Sequence, residues 1–218
     1  MTITILHGDC RAVMRDQIPA GSVDAVITDP PYGIGYRSNH SSRFAAIAND
    51  ERPFVWWLPE AYDALKDGGS LVCFCRWDVQ EAFRQAITWA GFTIKSQIVW
   101  DRGVHGMGDL KASFGPRHDV AWFATKGRFS FPGKRPVSVL RHQRPAHQHM
   151  IHPTEKPVSL MRELIEAVTA PGATILDPFA GSGSTLHAAA ECGRNAIGIE
   201  LAPEYVTAAT DRLEKIAA

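Results

Sequence analysis

An excess of either charge is missing: 23 Lys and Arg are matched by 23 Asp and Glu in 218 residues. No global field therefore directs the chain to nucleic acid or to an anionic membrane. Cysteine is sparse too. Cys10, Cys73, Cys75 and Cys192 form no CxxC pair and no small disulfide framework, which fits a reducing cytoplasm and thiols buried as small apolar residues. No stretch approaches the roughly 18 apolar residues that a membrane span requires. Met1–Leu6 lacks a basic region followed by a long apolar run, so a cytoplasmic, unprocessed chain is expected. Internal repeats and low-complexity tracts are also missing. With 45% hydrophobic and 21% charged residues, collagen-like, coiled-coil and largely disordered classes are excluded, and the length suits one domain with insertions.

Seven segments read as strands: Thr2–Leu6, Val23–Thr28, Ser70–Cys75, Thr93–Trp100, Asp119–Thr125, Ala173–Asp177 and Ala196–Ile199. Most are short apolar runs, as expected for strands covered on both faces. Helical patterns lie between several of them: Ala61–Leu65, Val79–Ala90, Val158–Val168, Thr185–Cys192 and Pro203–Ile216, most of them stopped by glycine or proline. Strands alternating with helices predict an α/β fold with a largely parallel, doubly wound sheet.

Three segments carry chemistry. Asp29-Pro30-Pro31-Tyr32 follows the strand Val23–Thr28, and strand ends are where such sheets place ligands. A carboxylate, a rigid carbonyl and an aromatic face suit a planar ring bearing an exocyclic amine; the plainer reading is a proline-ended strand with a capping Asp and a core Tyr. Asp177-Pro178-Phe179-Ala180-Gly181-Ser182-Gly183 leads from a strand through a glycine turn to a helix, and Glu200 ends the next strand. That layout fits a nucleoside whose ribose hydroxyls meet the second acid. Leu186 stands where a third fingerprint glycine would be, which favours a ligand without phosphates. Asp177 could hold a cationic amino group, although the turn could equally just pack helix on strand. His152-Pro153-Thr154-Glu155-Lys156-Pro157 opens the third helical pattern, either as a ligand-binding helix start or as an ordinary proline-bounded cap.

Taken together and in this order, the motifs resemble the β class of amino-group DNA methyltransferases, from His7-Gly8-Asp9 to the last helix. The resemblance implies a Rossmann-like, circularly permuted fold with a seven-stranded, mostly parallel sheet, and S-adenosylmethionine as cofactor. Asp29, Pro30, Pro31 and Tyr32 match the catalytic motif. Asp177, Phe179, Gly181, Ser182 and Gly183 match the cofactor loop, Glu200 the ribose acid and Asp9 the acid at the cofactor adenine. Thr154 and Lys156 match the element beside the methionine end. Members with Asp at the head of the catalytic motif usually methylate adenine N6, so a site-specific adenine methyltransferase is expected. Cytosine N4 and a catalytically idle DNA-binding module are the alternatives. No metal is implied, and a homodimer is compatible with the family.

DNA contacts are expected in a short target-recognition insertion at about 126–151, because Lys126–Thr154 has no carboxylate. Lys126, Arg128, Lys134, Arg135, Arg141 and Arg144 would neutralise phosphates there, and Arg37 and Arg43 would do so in the polar stretch Gly33–Asn49. A solvated basic loop is the plainer alternative. The histidines of this region fit no standard zinc-finger spacing. The whole chain, 1–218, reads as a single catalytic domain.

Overall fold

The computed structural model describes residues 1–33, 50–106, 110–144 and 155–217. In chain order the elements are β1 (Ile3–His7), α1 (Cys10–Gln17), β2 (Val23–Thr28), α2 (Leu58–Ala64), β3 (Leu65–Cys75), α3 (Gln80–Trp89), β4 (Thr93–Asp101), β5 (His118–Thr125), β6 (Val139–Arg141), α4 (Val158–Val168), β7 (Thr174–Asp177), α5 (Ser184–Glu191), β8 (Asn195–Glu200) and α6 (Pro203–Ala217). All seven expected strands form. An eighth, β6, joins them, so the sheet has eight strands among the described residues in the order β1-β8-β7-β2-β3-β5-β4-β6.

Only β5 runs against its neighbours, pairing antiparallel with β3 and β4; every other pairing is parallel. One rim of the sheet therefore collects the ends of β1, β8, β7, β2, β3, β4 and β6, together with the start of β5. At that rim Asp101 pairs with both His118 and Arg141.

Period-two alternation sorts the strand side chains onto two cores. Val23, Val26, Leu71, Cys73 and Cys75 face a cluster shared with Val13, Met14, Leu58, Phe83 and Ile87 of α1, α2 and α3. Ala25, Ile27, Val72 and Phe74 face the opposite cluster, with Leu160, Leu164 and Ile165 of α4 and Leu186, Ala188 and Ala189 of α5. The central strands are thus buried on both sides, which is why they read as continuous apolar runs. Close packing reaches its limit at Gly198 of β8, where a Cβ would stand 2.7 Å from Leu186 Cδ1 and 2.9 Å from Ala180 Cβ.

One helix forms that was not among the expected patterns, and one strand begins five residues before its expected start. The helix α1 is set by Asp9, whose Oδ1 accepts from Arg11 N at 3.1 Å and Ala12 N at 3.2 Å. The strand β3 starts at Leu65, because Asp67-Gly68-Gly69, which follows the expected helical pattern Ala61–Leu65, is stitched to the residues after β5: Gly68 N donates to Lys126 O at 2.8 Å and Lys126 N to Gly69 O at 3.0 Å. No helix among the described residues is long and apolar enough to cross a membrane.

Candidate functional site

Side by side in the sheet, β2 and β7 end in a shared contact: Thr28 Oγ1 donates to Asp177 Oδ1 at 2.7 Å. Beyond β2 the chain turns through Asp29-Pro30-Pro31-Tyr32, and the turn is anchored when Phe54 N donates to Pro31 O at 3.2 Å. The Asp29 carboxylate is held from both sides. Oδ1 accepts from the Tyr32 hydroxyl and Oδ2 from the Lys156 ammonium. Lys156 Nζ also reaches Tyr32 Oη at 3.4 Å and lies 5.1 Å from the Phe74 ring centroid, 5.7 Å from that of Tyr32 and 6.0 Å from that of Trp100. A buried ammonium thus sits against one carboxylate among three aromatic rings. Burial first, and then the charge of Asp29, push the Tyr32 phenol well above its ordinary value, so Tyr32 is a donor to Asp29. Its ring meets Phe83 edge-on at 6.4 Å.

The glycine turn after β7 brings backbone N–H groups to the same place. Asp177 is 4% exposed, and burial pushes its carboxyl up to about 6 against the bonds from Thr185, Thr28 and Phe179 N. Glu200 Oε2 accepts from Gly181 N and Oε1 from Ala202 N, each at 2.8 Å, and burial raises this carboxyl as well. Gly183 takes φ +80° where α5 begins, and a Cβ there would stand 3.0 Å from Ala209 Cβ. Phe179 is wedged edge-on between Phe54 at 6.0 Å and Trp57 at 5.3 Å.

One cavity is lined by Asp9, Asp29, Pro30, Pro31, Tyr32, Lys156, Asp177, Phe179, Gly181, Ser182 and Glu200, so residues from five separated segments meet. Gly183 is not on the lining but packs against Ala209, and Thr154 falls outside the described residues, as do Arg37 and Arg43. Asp50, Glu155 and Glu204 raise the carboxylates on the wall to seven among the described residues, against Lys156 as the single Lys or Arg described there. Such a wall repels phosphate and favours a ligand that brings positive charge and hydroxyl donors.

The structure adds contacts that the motifs did not specify. Lys156, matched by resemblance to a cofactor element, has its ammonium on Asp29. Glu155 does not cap α4, whose N-cap is Pro157; its carboxylate pairs with Arg212 of α6 and accepts from Ser182 Oγ at 3.2 Å. Arg212 also donates to Ser182 O at 3.0 Å, so Ser182 is tied down on two sides. Neither Arg212 nor its pairing was legible from motif spacing.

The predicted DNA-contacting cations are divided between the two rims. Lys126 and Arg128 follow the end of β5 at the rim opposite the cavity, and Lys126 Nζ donates to Tyr62 O at 2.7 Å and Leu65 O at 2.8 Å. Lys134 and Arg135 are exposed on the stretch that climbs the sheet edge toward β6, with Arg135 beside Lys95–Ile98. Arg141 ends β6 at the cavity rim, with Arg144 three residues further on. The antiparallel course of β5 is what carries the first four away.

A family model described as a DNA methylase (N6_N4_Mtase) matches residues 23–211. YubD of Escherichia coli (strain K12) is 39% identical over 215 residues, covering 97% of this chain and 90% of YubD. DNA adenine methyltransferase YhdJ of the same organism is 31% identical over 249 residues, covering 97% of this chain and 82% of YhdJ. Among solved structures, the M1.HpyAVI–SAM complex matches with a TM-score of 0.79 at 27% identity, covering 97% of this chain and 99% of that one.

Proposed function

The chain belongs to the N6/N4 DNA methylase family, and on that premise we propose that it methylates N6 of an adenine turned out of duplex DNA, with residues 1–218 acting as one catalytic domain. The observation that carries this reading is the Asp29 carboxylate, oriented by Tyr32 and Lys156 on the wall of an acid-lined cavity. Asp29 also heads the four-residue motif in the form associated with adenine, and the relative YhdJ is an adenine methyltransferase.

The family's cofactor is S-adenosylmethionine, and the wall of the cavity suits it: carboxylates dominate, aromatic Phe179 is clamped, and the phosphate-binding third glycine is replaced by Leu186. When bound, it supplies a methyl group on a sulfonium, which leaves by direct displacement. The chain's own groups bind and orient. Glu200, its oxygens fixed by Gly181 N and Ala202 N, accepts from ribose hydroxyls. Asp177 faces the ammonium of the amino-acid end. Asp9 keeps Oδ1 on the helix α1 and offers Oδ2 to the adenine end.

An adenine amine is a weak nucleophile because its lone pair is delocalised into the ring. Asp29 and the Pro30 carbonyl accept its two N–H groups and draw the nitrogen toward tetrahedral geometry. Lys156 Nζ donates to Asp29 Oδ2 and the Tyr32 hydroxyl to Oδ1, so the carboxylate is held in one orientation for the amine. The methylated amine would have to give up one N–H proton, and Asp29 would be the acceptor in reach. Preorganised acceptors and proximity supply the rate, and no serine or cysteine nucleophile is needed. A stacked base cannot reach this cavity, so the target is extruded. Arg141 stands on the rim where the strand must pass, and Arg144 follows it by three residues.

The test is methyl transfer from labelled cofactor to unmethylated duplex DNA, followed by digestion and mass identification of the nucleoside. N6-methyladenine is expected. N4-methylcytosine would keep the cavity and overturn the reading of Asp29, and no methylated nucleoside would refute DNA methylation.

A further inference from the structure

Ten large apolar side chains are exposed among the described residues, and Trp56, Trp77, Val104, Leu110, Phe114 and Leu201 stand on loops at the cavity rim. That is six of the ten, gathered on the one face where substrate must arrive. Isolated exposed apolar residues need no explanation, but a concentration around a site marks a contact surface. Phe114 is the extreme case at 101% exposure.

Phe114 lies in the loop joining β4 to β5, and the stalk of that loop is braced. Arg102 N donates to Arg117 O at 3.0 Å, Gly106 N to Pro116 O at 2.8 Å and the Arg102 guanidinium to Pro116 O at 2.6 Å. Gly115 packs under His105, where a Cβ would stand 3.1 Å from the His105 Cβ. Phe114 therefore projects two residues beyond the last rung of an ordered ladder. At the foot of the same stalk, Asp101 accepts from Arg117 Nε at 2.7 Å and from Arg141 Nε at 3.1 Å. One carboxylate orients two guanidiniums, leaving an excess of one positive charge on side chains that are 50% and 73% exposed.

We propose that the β4–β5 loop engages duplex DNA as a wedge with a clamp: Phe114 enters the base stack at the step the target base vacates, and Arg117 with Arg141, braced on Asp101, takes a backbone phosphate. This inference rests on the DNA-methylating reading above. Extruding a base forfeits its stacking, and an apolar side chain in the gap replaces part of it. A guanidinium pair held in place by a shared carboxylate loses little freedom on meeting a phosphate oxygen. Arg117 escaped the charge pattern in the sequence because acidic residues flank it, whereas the expected insertion was picked out by their absence.

The experiment compares methyl transfer to unmethylated duplex DNA and to its separated single strands, for the wild type, Phe114→Ala and Trp89→Ala. Trp89, 85% exposed at the far end of α3, is the control for loss of a surface aromatic. Phe114→Ala is expected to lower duplex transfer about tenfold while single-strand transfer and the melting temperature stay at wild-type level. An unchanged duplex-to-single-strand ratio, or an equal loss in Trp89→Ala, would overturn the wedge. So would a Phe114→Ala effect confined to self-association, which would make the patch a contact between copies. For the clamp, Arg117→Gln should reduce the salt slope of binding to labelled mixed-sequence duplex by about one counterion, and an unchanged slope would overturn it. A wild type that transfers no methyl to either DNA form would instead refute the underlying function, while the salt slope still decides the arginine pair.

Discussion

Replacing Asp177 with Asn should stabilise the free protein while destroying its hold on the cofactor. The Asp177 carboxyl is pushed up to about 6 by burial, from an ordinary 3.8. At about 1.4 kcal/mol per unit, ionising it inside the fold costs roughly 3 kcal/mol at neutral pH and above. In the folded state the group holds its proton up to about 6, whereas in the unfolded chain it releases it near 4. The folded form thus binds more protons between those values, and stability contributed by this group falls as pH rises through that window. Asn removes the charge and keeps the acceptor for Thr28 Oγ1 and Phe179 N, but it turns an amide toward the Thr185 hydroxyl and loses part of the gain. A net stabilisation of about 1–3 kcal/mol at about pH 8 is expected, fading toward pH 4, read from urea unfolding at a series of pH values. Saturating S-adenosylmethionine should then raise the stability of the wild type and leave Asp177→Asn unmoved. A variant less stable than the wild type at pH 8, or one still stabilised by cofactor, would refute the assignment of a strained carboxylate kept for a cationic ligand.

Two further outcomes separate binding from chemistry and from scaffolding. Lys156→Met should lower kcat by about tenfold or more with cofactor affinity nearly unchanged, because its ammonium sits on Asp29; a loss of cofactor affinity at constant kcat would return Lys156 to the cofactor. Arg212→Met strands the buried Glu155 carboxylate and should cost about 3 kcal/mol in denaturant unfolding, and a loss under about 1 kcal/mol would mean that the pair does not tie α6 to the Ser182 turn.

The central strands were legible because burial on both faces leaves little but apolar residues in them; β2 and α4 were delimited to the residue. The strand β6 was not. It is three residues long with one buried side chain, Leu140, and it lies in a stretch read for its charge. The helix α1 carries a buried stripe at Cys10, Val13 and Met14, but eight residues are too few for the pattern to stand out, and its cap Asp9 was read for its ligand chemistry instead. At the cavity, residues consecutive in the chain were legible as motifs, since Asp29 through Tyr32 and Asp177 through Gly183 each leave one strand end together. Contacts between distant residues were not: Lys156 meets Asp29 across 127 positions and Arg212 meets Glu155 across 57. Charge adjacency in sequence likewise says nothing of which rim a residue reaches. One antiparallel strand, β5, separates Lys126 from Arg141.

The most direct measurement is labelled methyl transfer to unmethylated duplex DNA by the wild type and by Asp29→Ala, with S-adenosylmethionine affinity determined calorimetrically on the same preparations. The account predicts transfer by the wild type, none by the variant, and cofactor affinity within about threefold between them, a difference under 1 kcal/mol. Transfer that survives without the Asp29 carboxylate, or a cofactor affinity that collapses with it, would contradict the placement of Asp29 at the target amine.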